Sequence, residues 1–372
     1  MKVNLSGPDI TQKEIDAVVE VMKSGILSIG PKIEEFEEKF KDYLGVKHAI
    51  GVNSGTSGLH LLVKAMDIDE GDEVITTPFS FVSSTNCLLF ERAKPVFVDI
   101  NPKTFNIDID RIEEKITEKT KAILPVDVFG QPLNMIELRK LADKYGLKII
   151  EDSCEALGSE YKGIKSGQLA DGAVFAFYPN KQITTGEGGM IVTNDDHIAE
   201  MCRSLRSQGR AITGFWLHHE RLGYNYRLSE LHAALGTVQM ERLDEILDKR
   251  EEVAQMYNRK LKDVKGVNIP YIHPDVTRMS WFVYVIQVDK GIDREKVMEY
   301  LKKQGVGCRP YFTPIHIQPY IKETLGVEGK DYPISHNTGG RGIALPFYNN
   351  LKEEEIDYVV EKLKEAIGNQ NI

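Results

Sequence analysis

A chain of 372 residues is long for a single hydrophobic core and suits two domains. With 41% hydrophobic and 28% charged residues it has the makeup of an ordinary folded protein, which excludes disorder and fibrous repeats. Acidic residues outnumber basic ones, 56 to 47, and the net charge of −9 argues against nucleic acid as a main partner, because such binding draws its affinity from neutralised phosphates. Cys87, Cys154, Cys202 and Cys308 are far apart and form no paired spacing, so neither a metal site nor a disulfide framework is expected. No apolar run approaches the roughly 18 residues of a membrane span, and the opening MKVNLSGPDITQKE has no apolar signal region. The expectation is a soluble, cytoplasmic protein without a membrane partner.

Ile15, Val18, Val19 and Met22 fall at helical spacing, and PKIEEFEEKFKDYLG places Ile33, Phe36 and Phe40 on one stripe that ends at Gly45. Short apolar strands then alternate with helices. Strands are expected at 48–52, 73–77, 95–99, 121–126 and 147–151, with helices at 58–66 and over MIELRKLADKYG. Strands buried on both faces and separated by helices predict a mostly parallel sheet covered by helices. GAVFAFYPNKQITTGEGGMIVTN reads as two apolar strands around a polar, Gly-rich turn, where one neighbour runs antiparallel. A long charged helix is expected over 229–261. After it come the strand WFVYVIQV, the helix DREKVMEYLKKQG, a loop rich in Pro and aromatics, and the helix LKEEEIDYVVEKLKEAI. This change of texture puts a domain boundary near 245, inside the long helix, giving domains 1–245 and 246–372.

Three segments carry candidate chemistry. In GVNSGTSGLHLL a strand passes through small residues into a helix, where backbone N–H groups and hydroxyls can converge on an anion. A plain tight turn is the alternative, and neither the G-x-G-x-x-G order nor a G-K-[ST] sequence is present, which excludes a dinucleotide fingerprint and a P-loop. In GLKIIEDSCEALGSEY, Asp152 ends an apolar strand, where open α/β sheets place ligands; it can equally cap a helix, with Glu155 closing a capping box. An acid in that place would suit a protonated pyridine nitrogen. In FAFYPNKQITTGEGG, Lys181 is the single basic residue of a loop whose glycines admit a flat ligand, and such an amine can do Schiff-base chemistry.

The series NSGTSGL, TPFSFVSSTN, VDVFGQP, IIEDSCEALG, FAFYPNKQITTGEGG and GYNYRLSELHAALG resembles the DegT/DnrJ/EryC1/StrS aminotransferases across essentially the whole chain. The resemblance implies the fold type I architecture of pyridoxal 5'-phosphate (PLP) enzymes: a mostly parallel seven-stranded sheet with helices on both faces, plus a smaller C-terminal α/β domain. It also implies a homodimer with shared active sites, a nucleotide-linked ketosugar as substrate, and L-glutamate as donor with 2-oxoglutarate released. By motif, Lys181 would bind the cofactor covalently and move the proton, and Asp152 would pair with the ring nitrogen. Phe81 would stack on the ring, Glu155 would lie near its 3′ oxygen, and Thr56 and Ser57 would hold the phosphate. Asn225 would reach that phosphate from the other subunit.

Glu187, Trp216, His218 and His316 are the candidates for the substrate region. One position departs from the pattern: relatives commonly carry Ser in F-S-F before the lysine, whereas this chain has Phe175-Ala176-Phe177, one hydroxyl fewer for the phosphate. The expected reaction is amination of a 4-keto-6-deoxyhexose, with a 3-keto sugar or cyclitol ketone as the nearest rival. The dehydratase branch, which has His for the lysine, and a non-enzymatic regulator on the same fold are both disfavoured because Lys181 and Asp152 are intact.

Overall fold

The computed structural model describes residues 1–211 and 218–370. Helix α1 (Gln12–Ser24) starts at a Thr11/Glu14 capping box, and α2 (Pro31–Leu44) ends at Gly45 in the left-handed region. The stripe expected on α1 is not a core stripe: Ile15, Val19 and Met22 are 48%, 37% and 63% exposed. The face of α1 turned inward carries Val21 and Glu14, whose carboxylate pairs with Arg242.

Strands β1 (His48–Val52), β2 (Glu73–Thr76), β3 (Lys94–Phe97), β4 (Thr120–Leu124) and β5 (Lys148–Asp152) follow the expected order. After them come a short hairpin, β6 (Glu160–Tyr161) with β7 (Ile164–Lys165), and then β8 (Gly172–Ala176) and β9 (Gly189–Thr193). One seven-stranded sheet has the order β1-β9-β8-β5-β4-β2-β3. From β3 to β8 the pairings are parallel, and β9 alone runs antiparallel to both its neighbours, as the Gly-rich turn before it requires.

Helices α3 (Gly55–Ala65), α4 (Ser83–Phe90), α5 (Met135–Tyr145) and α6 (Asp196–Arg206) alternate with these strands. Side-chain alternation sends Val174 and Ile191 into a core with Leu59, Leu62 and Ile198, and Phe175 and Val192 into another with Phe36 and Phe40. The sheet is therefore covered on both faces. Phe40 packs against Phe175 and Phe177 at ring-centroid distances of 5.2 and 5.8 Å, a contact whose truncation to Ala would cost about 3–5 kcal/mol.

The helix expected over 229–261 is two helices, α7 (Glu230–Glu241) and α8 (Leu243–Leu261), broken at Arg242 with φ −101° and ψ 6°. The Arg242 guanidinium is buried and bonds Asp9 at 3.1 Å and Glu14 at 2.6 Å, so the break is tied to the N-terminal segment. Leaving such a charge buried without its partner costs about 3–5 kcal/mol. Beyond α8 come β10 (Val267–Asn268), β11 (Val276–Arg278), β12 (Tyr284–Val288), β13 (Arg309–Pro310) and β14 (Gly342–Leu345). Four of them form a second sheet, β10-β12-β14-β13, and β11 extends the β6–β7 hairpin. The core around this sheet runs from Val253 through Trp281 and Ile286 to Ile367, and it takes in Val3, which bridges to Val306. Among the described residues no helix is long and apolar enough to cross a membrane.

Candidate active site

The C-terminal ends of β5 and β8 and the start of α3 open on a cavity of about 510 Å³. Asp152, the last residue of β5, is 5% exposed and lines it. Ser84 donates its hydroxyl to Asp152 Oδ2 at 2.8 Å, and the Cys154 N–H donates to Oδ1 at 3.2 Å. No helix follows: residues 153–159 are turns and irregular chain, so Asp152 is not a helix cap.

Lys181 stands in the loop between β8 and β9. Its Nζ lies 3.7 Å from Glu155 Oε1 and 3.8 Å from the Phe282 ring centroid. Glu155 closes no capping box; its Oε2 accepts the Phe129 N–H at 2.8 Å. Burial pushes the Glu155 carboxyl up to about 7, against the pull of the Lys181 ammonium.

The wall opposite is the N-terminus of α3, through Ser54, Gly55 and Thr56. A Cβ on Gly55 would sit 2.8 Å from Cys154 Sγ and 2.9 Å from Ala176 Cβ, so only glycine lets the helix start come this close to β8. Gly58 is under the same constraint from Val174, at 2.7 Å. Thr56 Oγ1 shares a hydrogen bond of 2.7 Å with Ser83 Oγ, which also lines the cavity. First-turn N–H groups, the helix dipole and two hydroxyls could hold an anion here.

The cavity thus gathers Thr56, Phe81, Asp152, Glu155, Lys181 and Glu187 from the sequence candidates. Phe81 is at its mouth, 62% exposed. Ser57 faces away, its hydroxyl donating to Asn53 Oδ1 at 2.6 Å. Asn225 is exposed and outside this chain's own cavity, its backbone bridged to Ser207. His218 is exposed, and its carbonyl accepts the Ala211 N–H; Trp216 lies outside the described residues. His316 is fully buried against Tyr332 and His336 and does not line the cavity, with neither ring nitrogen hydrogen-bonded, and burial holds it down to about 4.

Ser83, Tyr178, Asn180, Phe282, Tyr311 and Phe312 also line the cavity and were not anticipated. Tyr311 and Phe312 belong to YFTPIH, which also contains His316. The aromatic pair was the better signal in it.

An amine and a buried carboxylate beside an anion-binding helix start, at the strand ends of an open α/β sheet, define the class of PLP-dependent enzymes. The ring, aldehyde and phosphate of that cofactor each find a fitting group: Asp152, Lys181 and the start of α3. The chain belongs to the DegT/DnrJ/EryC1/StrS aminotransferase family, whose sequence pattern matches residues 8–364.

The GDP-perosamine synthase of Caulobacter vibrioides is 40% identical over 98% of each chain. Among solved structures, Helicobacter pylori PseC, an aminotransferase involved in the biosynthesis of pseudoaminic acid, superposes with a TM-score of 0.94 at 32% identity, covering 99% of this chain and 100% of that one. The PLP form of Streptococcus pneumoniae Spr1654 gives 0.93 at 28% identity, covering 100% of both chains. The protein is an enzyme, a PLP-dependent aminotransferase.

Ala176, the position at which the sequence resemblance implied a hydroxyl, lines the cavity. Ser54 and Ser83 supply hydroxyls on the same wall beyond that of Thr56. Ala176→Ser should therefore change the PLP dissociation constant by less than about tenfold, below the roughly 1.5–3 kcal/mol of a new bond to a charged group. Fluorescence titration of the apoprotein measures it; tightening beyond tenfold would reveal an unfilled donor position.

Proposed function

We propose that the protein moves the amino group of L-glutamate to C4 of a nucleotide-linked 4-keto-6-deoxyhexose, releasing 2-oxoglutarate and a 4-amino sugar. The observation that carries the chemistry is the convergence of Lys181 and Asp152 on one cavity beside the start of α3. The substrate class is supported by the likeness to the Caulobacter GDP-perosamine synthase over 98% of both chains.

Bound PLP supplies an electron sink at the substrate carbon. In this reading Asp152 holds the ring nitrogen protonated, Lys181 carries the cofactor and shuttles the proton, and Phe81 covers one ring face. Glu155 meets the 3′ oxygen, while the α3 start with Thr56 holds the phosphate.

Asn225 completes the phosphate site of a second copy. Three observations support a shared site: Asn225 is exposed beyond its own cavity, Phe81 and Tyr178 are 62% and 53% exposed at the mouth, and Ile15, Val19 and Met22 form an uncovered apolar stripe on α1. Asn225 also stands near an arginine cluster. Burial and the neighbouring charges of Arg210 and Arg206 lower the pKa of Arg227. Such crowding of like charge favours an anionic ligand, and the diphosphate of a nucleotide sugar would supply it in spite of the net charge of −9. Sedimentation at assay concentration should show a dimer or a larger species; a fully active monomer would exclude the shared site.

Offering UDP-, GDP- and dTDP-linked 4-keto-6-deoxyhexoses with glutamate, and locating the new amine by NMR, tests the substrate. Amination at C4 is expected. Amination only at C3, or only of a free cyclitol ketone, would overturn the reading.

A further inference from the structure

Behind Asp152, on the opposite face of the sheet, lies a second acidic pair that no step above uses. Alternation along β5 turns Glu151 away from the cavity that Asp152 lines. Glu151 is 1% exposed, as is Asp127 of VDVFGQP, just past the end of β4, and Ser153 between them is fully buried. The Ser153 hydroxyl oxygen lies 3.0 Å from Asp127 Oδ2 and 3.0 Å from Glu151 Oε1. Asp127 Oδ1 accepts the Leu133 N–H at 2.9 Å, and Glu151 Oε1 accepts the Gly167 N–H at 3.0 Å. Among the described residues no Lys, Arg or His pairs with either carboxyl; the other polar groups facing them are the Ser166 hydroxyl and the Asp152 backbone.

A serine hydroxyl has one hydrogen. With both carboxyls ionised, it could donate to only one of them, and the second contact would set lone pair against lone pair in a buried site. One carboxyl must therefore carry a proton and donate it. Asp127 accepts a donor at each oxygen, the Leu133 N–H at one and the Ser153 hydroxyl at the other, as an ionised carboxylate requires, whereas Glu151 Oε2 is buried with no hydrogen-bond partner among the described residues. An ionised Glu151 would leave that charge unmet, so Glu151 is the holder, and burial and the neighbouring Asp127 charge push it well above its ordinary range.

The pair is also bonded to the strand end that presents Asp152. The Asp127 N–H donates to the Asp152 carbonyl at 3.2 Å, and the Asp152 N–H donates to the Pro125 carbonyl at 2.9 Å. Two full charges behind these bonds would repel across the β4–β5 edge.

We propose that Glu151 is a neutral carboxylic acid whose proton is shared with Asp127 through Ser153, and that this triad positions Asp152. The back of the strand end then carries one negative charge. That charge adds to the field of Asp152 without forcing the strands apart. Glu151, Asp127 and Ser153 are positioning residues; none touches the cavity.

Infrared spectroscopy of the holoenzyme, with and without 13C-carboxyl glutamate labelling, tests the proton. At pH 7.5 a neutral-carboxyl stretch that shifts with the label should be lost in Glu151→Gln; any band of Glu155 persists in that variant. Identical carboxyl spectra for wild type and Glu151→Gln would overturn the proposal. Positioning is read from the pH titration of the cofactor's visible band. Ser153→Ala should move its midpoint by half a pH unit or more and lower kcat at least fivefold, with KM for glutamate within twofold. Glu151→Gln, which keeps a donor in place of the acid proton, should titrate like wild type. A Ser153→Ala enzyme that titrates like wild type, or a Glu151→Gln enzyme shifted as far as Ser153→Ala, would show a purely structural pair. The second arm rests on the proposed pairing of Asp152 with the ring nitrogen, whereas the infrared arm does not, so a failure of that pairing leaves the infrared result standing.

Discussion

Lys181→Ala should lower turnover by at least about 10³-fold, the upper part of the range for a positioned acid–base group. The side chain is nearly enclosed, with its Nζ against Glu155 and the Phe282 ring, and no other lysine lines the cavity. No neighbouring amine can take over its proton transfer. Fold and cofactor phosphate contacts should survive, because α3 and its hydroxyls do not touch the replaced atoms. Borohydride treatment of the wild type, followed by peptide mass analysis, should place the cofactor on the peptide containing Lys181, and the variant should show no label there. Label on another lysine, or turnover within tenfold of wild type, would remove Lys181 from its role.

Asp152→Asn should cost about 10²–10³-fold in turnover, the scale of a preorganised charge removed from a water-poor site. The variant should fold, and its hydrogen bonds can be traced. Asn keeps an oxygen for the Cys154 N–H. The new amide can donate to Ser84, whose hydroxyl can turn toward Ser80 Oγ at 2.8 Å or the Phe81 carbonyl at 3.2 Å. What changes is the charge that the proposed function sets against the ring nitrogen. Cofactor should remain bound while both half-reactions slow, which single-turnover absorbance measurements read directly. A rate near wild type would reduce Asp152 to a structural hydrogen-bond acceptor.

Much of the sheet was legible because its signals are local. Strands buried on both faces read as apolar runs, and Asp152 ends one of them whatever its neighbours do. The small residues around Gly55 and Gly58 marked a strand-to-helix turn, although what demands glycine there, the approach of Ala176 and Val174, appears only in three dimensions. The reading failed where a distant partner decides. The charged run over 229–261 has no local breaker, and the chain turns at Arg242 because Asp9 and Glu14, some 230 positions earlier, bond its guanidinium. Ile15, Val19 and Met22 have the spacing of a core stripe, but α1 turns its Glu14 face inward to serve that same arginine.

By itself the sequence determined the alternating α/β plan, the antiparallel β9, the lysine and the aspartate, and through six ordered motifs the family. Periodicity, turn chemistry and motif order depend on residues close in the chain, so they survive without coordinates. Only the tertiary structure decided which aromatics close the cavity, since Phe282, Tyr311 and Phe312 arrive from the C-terminal part of the chain. It also decided that Asp152 caps no helix and that neither Ser57 nor His316 lines this chain's cavity. The charge states were settled at the same level. Glu155 at about 7 and the raised Glu151 owe their rise to lost water and to carboxylates brought near by folding, with the Lys181 ammonium opposing it at Glu155, and desolvation is a property of a place in the fold, which no residue carries along the chain.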